Sequence, residues 1–206
     1  DWSSDVCSSD LHALHVALGG KIVPFAGYEM PVQYSAGILS EHLHTRAAAG
    51  LFDVSHMGQA FLVGPDYESV ARFLETLCPA DILGLPPGRQ RYTQLTNEEG
   101  GIIDDLMVTR SADPAEDGAV MLVVNAACKA ADFALIESRL PSNIKFLRAP
   151  HRALVALQGP QAAEVLARHA PEAAGLAFMS AMATKFDAFD CHISRSGYTE
   201  IGRAHV

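Results

Sequence analysis

The sequence predicts an α+β protein with largely antiparallel sheets and packed helices, and three observations lead there. Strand-like runs come in pairs joined by Gly-containing turns, most clearly residues 91–96 and 101–110 around the NEEGG turn. Helical periods fall singly between such pairs instead of in strict strand–helix–strand order. The total length suits one sizeable hydrophobic core or two small lobes.

The elements follow in order. After Gly19-Gly20, the stretch KIVPFAGYEMPVQY is extended but interrupted by Pro24 and Pro31, so it is expected to cross a surface and not to form a central strand. Residues 35–49 read as a helix with Ile38, Leu39, Leu43 and Ala47 on one face and Gly50 as the stop. Residues 51–63 read as one strand, and Gly64-Pro65-Asp66 turns into a second helix ending at Leu77. The 91–96 and 101–110 hairpin is followed by a strand at 119–125 and a helix from about Lys129 to Leu140. Residues 153–158 form a strand, and Gly159-Pro160 opens another helix with proline at its favoured first position. An alternating strand at 186–195 comes last.

Both ends are set apart. Residues 1–11 and 200–206 continue no neighbouring period. Residues 6–11, VCSSDL, can be written GTG TGC TCT TCC GAT CT. The reverse complement of that string, with one preceding G, spells EIGRAH, which is residues 200–205. Both ends are therefore expected to be translated sequencing-adaptor read-through, leaving residues 12–199 as an incomplete domain.

Charge and cysteine usage exclude some classes. The formal charge is −9, and without Asp1, Asp5, Asp10, Glu200 and Arg203 it is −6. That balance argues against broad phosphate-backbone binding, which needs clustered Lys and Arg. No run approaches the ~18 apolar residues of a membrane span. Cys78, Cys128 and Cys191 are widely spaced with no C-x-x-C, as expected of reduced core thiols. Phosphate-cradling loops and a G-x-S-x-G elbow are absent.

The chemistry-bearing candidate is the Asp104-Asp105 pair inside an Ile/Leu/Met/Val run. Burying a carboxylate costs several kcal/mol (roughly) unless it finds a partner or a wet pocket. Strand alternation sends the two to opposite faces, so at most one shares a face with Ile103 and Met107. On the local pattern, a plainer arrangement stays open, with one aspartate in solvent and the other capping a turn. His12 and His15 lie at helical i, i+3 spacing, and His56 in FDVSHMG is the best lone ligand or base candidate. His42, Asp53 and His56 could hold a metal only if their helix and strand face one another.

Six segments occur in order: FAGYEMPVQY at 25–34, EHLHTRAAAGLFDVSHMGQ at 41–59, LTNEEGGIIDDLMV at 95–108, VVNAA at 123–127, ALQGP at 156–160 and SRSGYT at 194–199. Together they resemble the N-terminal half of the glycine cleavage system T-protein family, the tetrahydrofolate-dependent aminomethyltransferases. The resemblance implies transfer of an aminomethyl carbon from the lipoyl arm of a carrier, the H-protein, to tetrahydrofolate. The products are methylene-tetrahydrofolate, ammonia and the reduced lipoyl carrier. By similarity Asp105 matches the catalytic carboxylate near the folate N10. Tyr92 matches a residue lining the folate site, Met57 a pocket-wall position, and Val123 and Asn125 pteridine contacts. For Met57 and Val123, plain core packing is an equal alternative, and Asp104 is assigned a supporting or solvent role.

The chain departs from the family after Gly197-Tyr198-Thr199. The family continues with Gly-Glu, and that glutamate binds the pterin. Here Glu200 stands one position early, so the role is not carried to it. Weak folate binding and poor turnover are expected of the chain as written. The rival readings are the folate-binding module of a sarcosine or dimethylglycine oxidising flavoenzyme, a folate-binding iron–sulfur assembly factor, and, last, a metal-dependent hydrolase. The expected setting is cytoplasmic, or the mitochondrial matrix in a eukaryote, with no nucleic-acid or membrane partner.

Overall fold

The computed structural model describes residues 7–9 and 11–198. Of the segments expected to be adaptor read-through, all but residues 7–9 and Leu11 lie outside the described residues. The chain divides into two units. One comprises the positions up to Met57 together with His151–Arg168, and the other comprises Gly58–Pro150 with the positions from His169 onward.

In the first unit, β1 (Cys7–Ser8) is followed by α1 (His12–Ala17) and by a hairpin of β2 (Lys21–Phe25) and β3 (Tyr28–Gln33). The hairpin turns at Ala26-Gly27, both with positive φ. The Pro-interrupted segment was expected to avoid a central position, yet β3 lies between β2 and β1. Proline is tolerated because β1 pairs only with Tyr28 and Glu29, so Pro31, with no N–H to donate, faces no β1 residue.

The helix expected at 35–49 is α2 (Ile38–Ala47). Its face assignment is corrected: Ile38, Leu39 and Leu43 are exposed, and the buried residue is Thr45, whose hydroxyl donates to the Glu41 carbonyl at 3.0 Å. The single strand expected at 51–63 is also corrected. It is two strands in different sheets, β4 (Gly50–Asp53) and β5 (Gly58–Val63). Asp53 ends the first by accepting from the Ser55 N–H at 2.9 Å, and the Met57 N–H closes a turn onto the Val54 carbonyl at 3.0 Å. β4 pairs antiparallel with β10 (Val155–Gln158). Proline does not open the following helix: α5 (Ala162–Ala167) starts after Gln161, and Gly159-Pro160 forms the connection. Gly159 has φ +115°, and a Cβ there would meet the Ala48 carbonyl oxygen at 2.4 Å, so only glycine fits.

The second unit is built on a five-stranded antiparallel sheet. Its order is β6 (Gln90–Thr96), β7 (Ile102–Arg110), β8 (Ala119–Val124), β5 and β9 (Lys145–Arg148). Two helices supply the other layer: α3 (Tyr67–Glu75), capped by the Asp66 carboxylate on the Ser69 N–H, and α4 (Lys129–Ser138). Alternation decides which strand residues meet them. Ala60, Leu62, Leu95, Leu106, Val108, Val120, Leu122 and Val124 pack with Val70, Leu74, Phe133 and Ile136 in one core. Arg110 lays its guanidinium 3.6 Å above the Tyr67 ring, closing one margin of that core with a cation over a π-face. The strand expected at 186–195 is the second half of a hairpin, β11 (Ser180–Phe186) and β12 (Phe189–Arg195), turning at Asp187 with φ 53°.

Leu122, fully buried in a central strand, is a direct probe of this layer. Leu122→Ala should lower unfolding free energy by about 2–5 kcal/mol. Urea denaturation measures this, and a loss well under about 1 kcal/mol would contradict the packing described. Burial also pushes the Cys78 thiol up to about 12. In the native protein at about pH 8 an alkylating reagent should therefore modify exposed Cys7 and spare Cys78. Mass mapping of the modified cysteines reads the outcome.

Candidate functional site

The site lies in the second unit, on the face of the sheet away from the helices. Register places Tyr92 opposite Met107, Met107 opposite Val123, and Gln94 opposite Asp105. Directly opposed residues share a face, so Asp105 stands with Tyr92, Gln94, Met107 and Val123, while Leu106 and Val108 enter the core. Asn125 follows the last residue of β8 and continues the same face. The alternation read from the sequence is therefore observed, with Asp105 on the Ile103/Met107 side.

Three donors converge on Asp105. The Tyr92 hydroxyl donates to its Oδ2, and the Asn125 side-chain amide donates to its Oδ1. The Tyr198 hydroxyl donates to the Asp105 carbonyl at 3.0 Å, with Oδ1 at 3.4 Å. Burial, reinforced by the Asp105 and Asp104 carboxylates, holds the Tyr198 phenol far above its ordinary range, so it acts as a donor at any physiological pH. The Tyr92 and Tyr198 rings stand 6.0 Å apart at 57°. In front of this cluster lies an open hollow of about 550 Å³ lined by Tyr92, Gln94, Ile102, Ile103, Asp104, Asp105 and Asn125. That size suits a small organic ligand, with an apolar lip from two isoleucines and convergent polar groups behind.

Asp104 neither faces open solvent nor caps a turn. It is half-buried on the helix side, opposite core residue Leu95, and its Oδ1 accepts from the Asn125 amide at 2.9 Å. The turn of this hairpin is closed instead by Asn97, whose carbonyl Oδ1 accepts from the Gly101 N–H. Burial, and then Asp104, also push the Cys128 thiol upward.

The sequence-predicted residues thus separate. Tyr92, Asp105 and Asn125 come together at the hollow. Val123 shares their face but is nearly buried against the sheet and does not line the hollow. Met57 is half-buried in the first unit, in the turn after β4. Sequence reasoning passed over Gln94, Ile102, Ile103 and Tyr198. Period-two spacing from Tyr92 and Asp105 points to Gln94 and Ile103, whereas nothing local marks Tyr198, 93 positions from the carboxylate it touches.

The histidines do other work. In the first unit His15 is buried and bonded to the Tyr34 hydroxyl at 2.7 Å and to Asp53 at 2.9 Å. Burial alone would raise Asp53, but bonds from Ser55, His15 and Ser9 bring its carboxyl below the usual range. His56 stacks edge-on against Phe25 at 5.4 Å, and His42 is exposed. Among the described residues no three His, Cys, Asp or Glu side chains gather as a metal site, so His42, Asp53 and His56 do not converge.

Comparison with known proteins bears on the family and the fold. Residues 11–202 match the family described as the GCVT N-terminal domain. The chain is 38% identical over 208 residues to a mitochondrial aminomethyltransferase of Dictyostelium discoideum, covering 96% of this chain and 49% of that protein. To the mitochondrial aminomethyltransferase of Gallus gallus it is 42% identical, covering 92% of this chain and 48% of the relative. The crystal structure of glycine cleavage system aminomethyltransferase T from Bartonella henselae superposes with a TM-score of 0.81 at 43% identity, over 94% of this chain and 51% of that one. The chain spans about half the length of the curated relatives it matches. These two curated relatives are named mitochondrial, which gives the expected cytoplasmic preference no support. Among the described residues no helix is long and apolar enough to cross a membrane.

Proposed function

We propose, since this chain belongs to the GCVT N-terminal domain family, that it supplies the tetrahydrofolate-facing part of an aminomethyltransferase of the glycine cleavage system. The observation that carries this reading is the hollow backed by a carboxylate on which two phenols and one carboxamide converge. The reaction moves an aminomethyl carbon from the lipoyl sulfur of the H-protein to tetrahydrofolate. One folate nitrogen attacks the methylene carbon bonded to sulfur and nitrogen as ammonia leaves, and a second folate nitrogen displaces the lipoyl sulfur. The two N–H protons pass to the departing amine and thiolate, so the lipoyl carrier is released as its dithiol.

Each residue has a part that its geometry suits. Positive charge develops on the attacking nitrogen, and a carboxylate already oriented by its donors stabilises it without reorganising. Asp105 is that carboxylate; its fixed oxygens also orient the folate nitrogens. Tyr92 offers a ring face for the flat heterocycle while its hydroxyl keeps Asp105 in place. Asn125, with a donor and an acceptor on one amide, supports pteridine recognition. Val123, on the face that carries Asp105, is assigned a pteridine contact, and Met57 keeps a pocket-wall role on the family resemblance alone.

Two measurements test the reading. In nuclear magnetic resonance titrations, tetrahydrofolate should shift the amide signals of Tyr92, Ile103, Asp105 and Asn125 saturably, and Asp105→Asn should weaken that response at least about tenfold, near 1.4 kcal/mol. Shifts scattered over the surface would sink the assignment. Introduced into an intact aminomethyltransferase with the same motif, Asp105→Asn should abolish most transfer with little effect on folding, and Asp104→Asn should be milder. The opposite ranking would show that the wrong aspartate has been chosen.

A further inference from the structure

We propose that Asp104 and Asp132 hold a single proton between their carboxyl groups, and that this pair is a positioning device that aims the Asn125 amide at Asp105. Asp132 sits in the first turn of α4 and is 0% exposed, the only Asp, Glu, Lys or Arg in that state among the described residues. Both of its carboxyl oxygens, and Oδ2 of Asp104, are buried without a donor. The two carboxyl groups nevertheless lie within hydrogen-bonding reach of each other. Ionised carboxylates only accept, so two of them in contact in a buried site repel; one shared proton converts the contact into a charge-assisted hydrogen bond.

The consequence reaches the site through one amide. The two N–H groups of Asn125 Nδ2 are divided between Asp104 Oδ1, at 2.9 Å, and Asp105 Oδ1. Anchoring Asp104 from behind fixes the amide plane, and the amide plane fixes an oxygen of Asp105. Burial first, then Asp104, then Asp105, push Asp132 up to about 7. Other titratable groups adjoin the pair: the Cys128 thiol beside Asp104, and Lys129 one turn back on α4. The Val124 and Phe133 side chains and the Lys129 Cβ meet around Gly58, and the cations Arg139, at the far end of α4, and Arg148 are engaged at the surface with Glu98 and Glu137.

The sign of the pH dependence follows from a folded-state value above the unfolded one. Between about 4 and about 7 the folded chain binds a proton that the unfolded chain has released, so this contribution is complete below that window and lost as pH rises through it. Asp132→Asn places a permanent neutral donor at the same position and should remove the dependence.

The test has a part that needs no ligand and a part that rests on the folate reading. Difference infrared spectra of the chain should show a protonated-carboxyl C=O band at about pH 6 that disappears by about pH 9 and is missing in Asp132→Asn. In parallel, the thermal midpoint of Asp132→Asn should rise relative to the parent between about pH 5 and about pH 8. No such band in the parent, or one unchanged in the variant, overturns the shared proton. For positioning, the tetrahydrofolate response should weaken severalfold in the parent from about pH 6 to about pH 8, stay level in Asp132→Asn, and be weak throughout in Asp132→Leu. Coincident profiles for parent and Asp132→Asn overturn the positioning role. If the band behaves as expected and tetrahydrofolate binds at no pH, the folate reading fails and the proton pair stands.

Discussion

The two-residue period of β7 is the constraint on which the second unit depends. Leu106 and Val108 turn into a core with α3 and α4, so Asp105 and Met107 must turn away from it. A slip of one residue would bury Asp105 among leucines and expose the core, so the packing energy of the apolar face also fixes the polar face. The same alternation leaves Asp104 toward the helices, where a carboxylate is costly; the Asn125 amide satisfies Oδ1, and Oδ2 is left without a donor.

Preorganisation at Asp105 comes from three separate places in the chain. Tyr92 is on the neighbouring strand, Asn125 ends the strand on the other side, and Tyr198 follows the last hairpin. A carboxylate held this way has little freedom left to lose when a ligand arrives, which favours both binding and charge stabilisation. The hollow is lined chiefly by residues of the β6–β7 hairpin, so strand pairing sets which side chains form its floor.

Much of this was legible from residue order, for identifiable reasons. The 91–110 hairpin, the capped helix after Asp66 and the strand at 119–125 follow from turn chemistry and periodicity, which are local. The readings that failed needed non-local information. Residues 51–63 look like one strand until the Asp53–Ser55 turn divides them. The α2 stripe looks like a buried face, yet Ile38, Leu39 and Leu43 are exposed. The stretch at 186–195 conceals a partner strand, because Ser180–Phe186 carries a mixed pattern that only pairing with Phe189–Arg195 resolves.

By itself the sequence determined that Asp104 and Asp105 part to opposite sides of a strand, and its motifs named the family. Alternation is a property of the backbone and needs no partner. Only the tertiary structure decided what each carboxylate meets: Tyr92, Asn125 and Tyr198 for one, Asn125 and the buried Asp132 for the other. Those partners come from remote segments, and the environment of a charge is set by what the fold brings beside it.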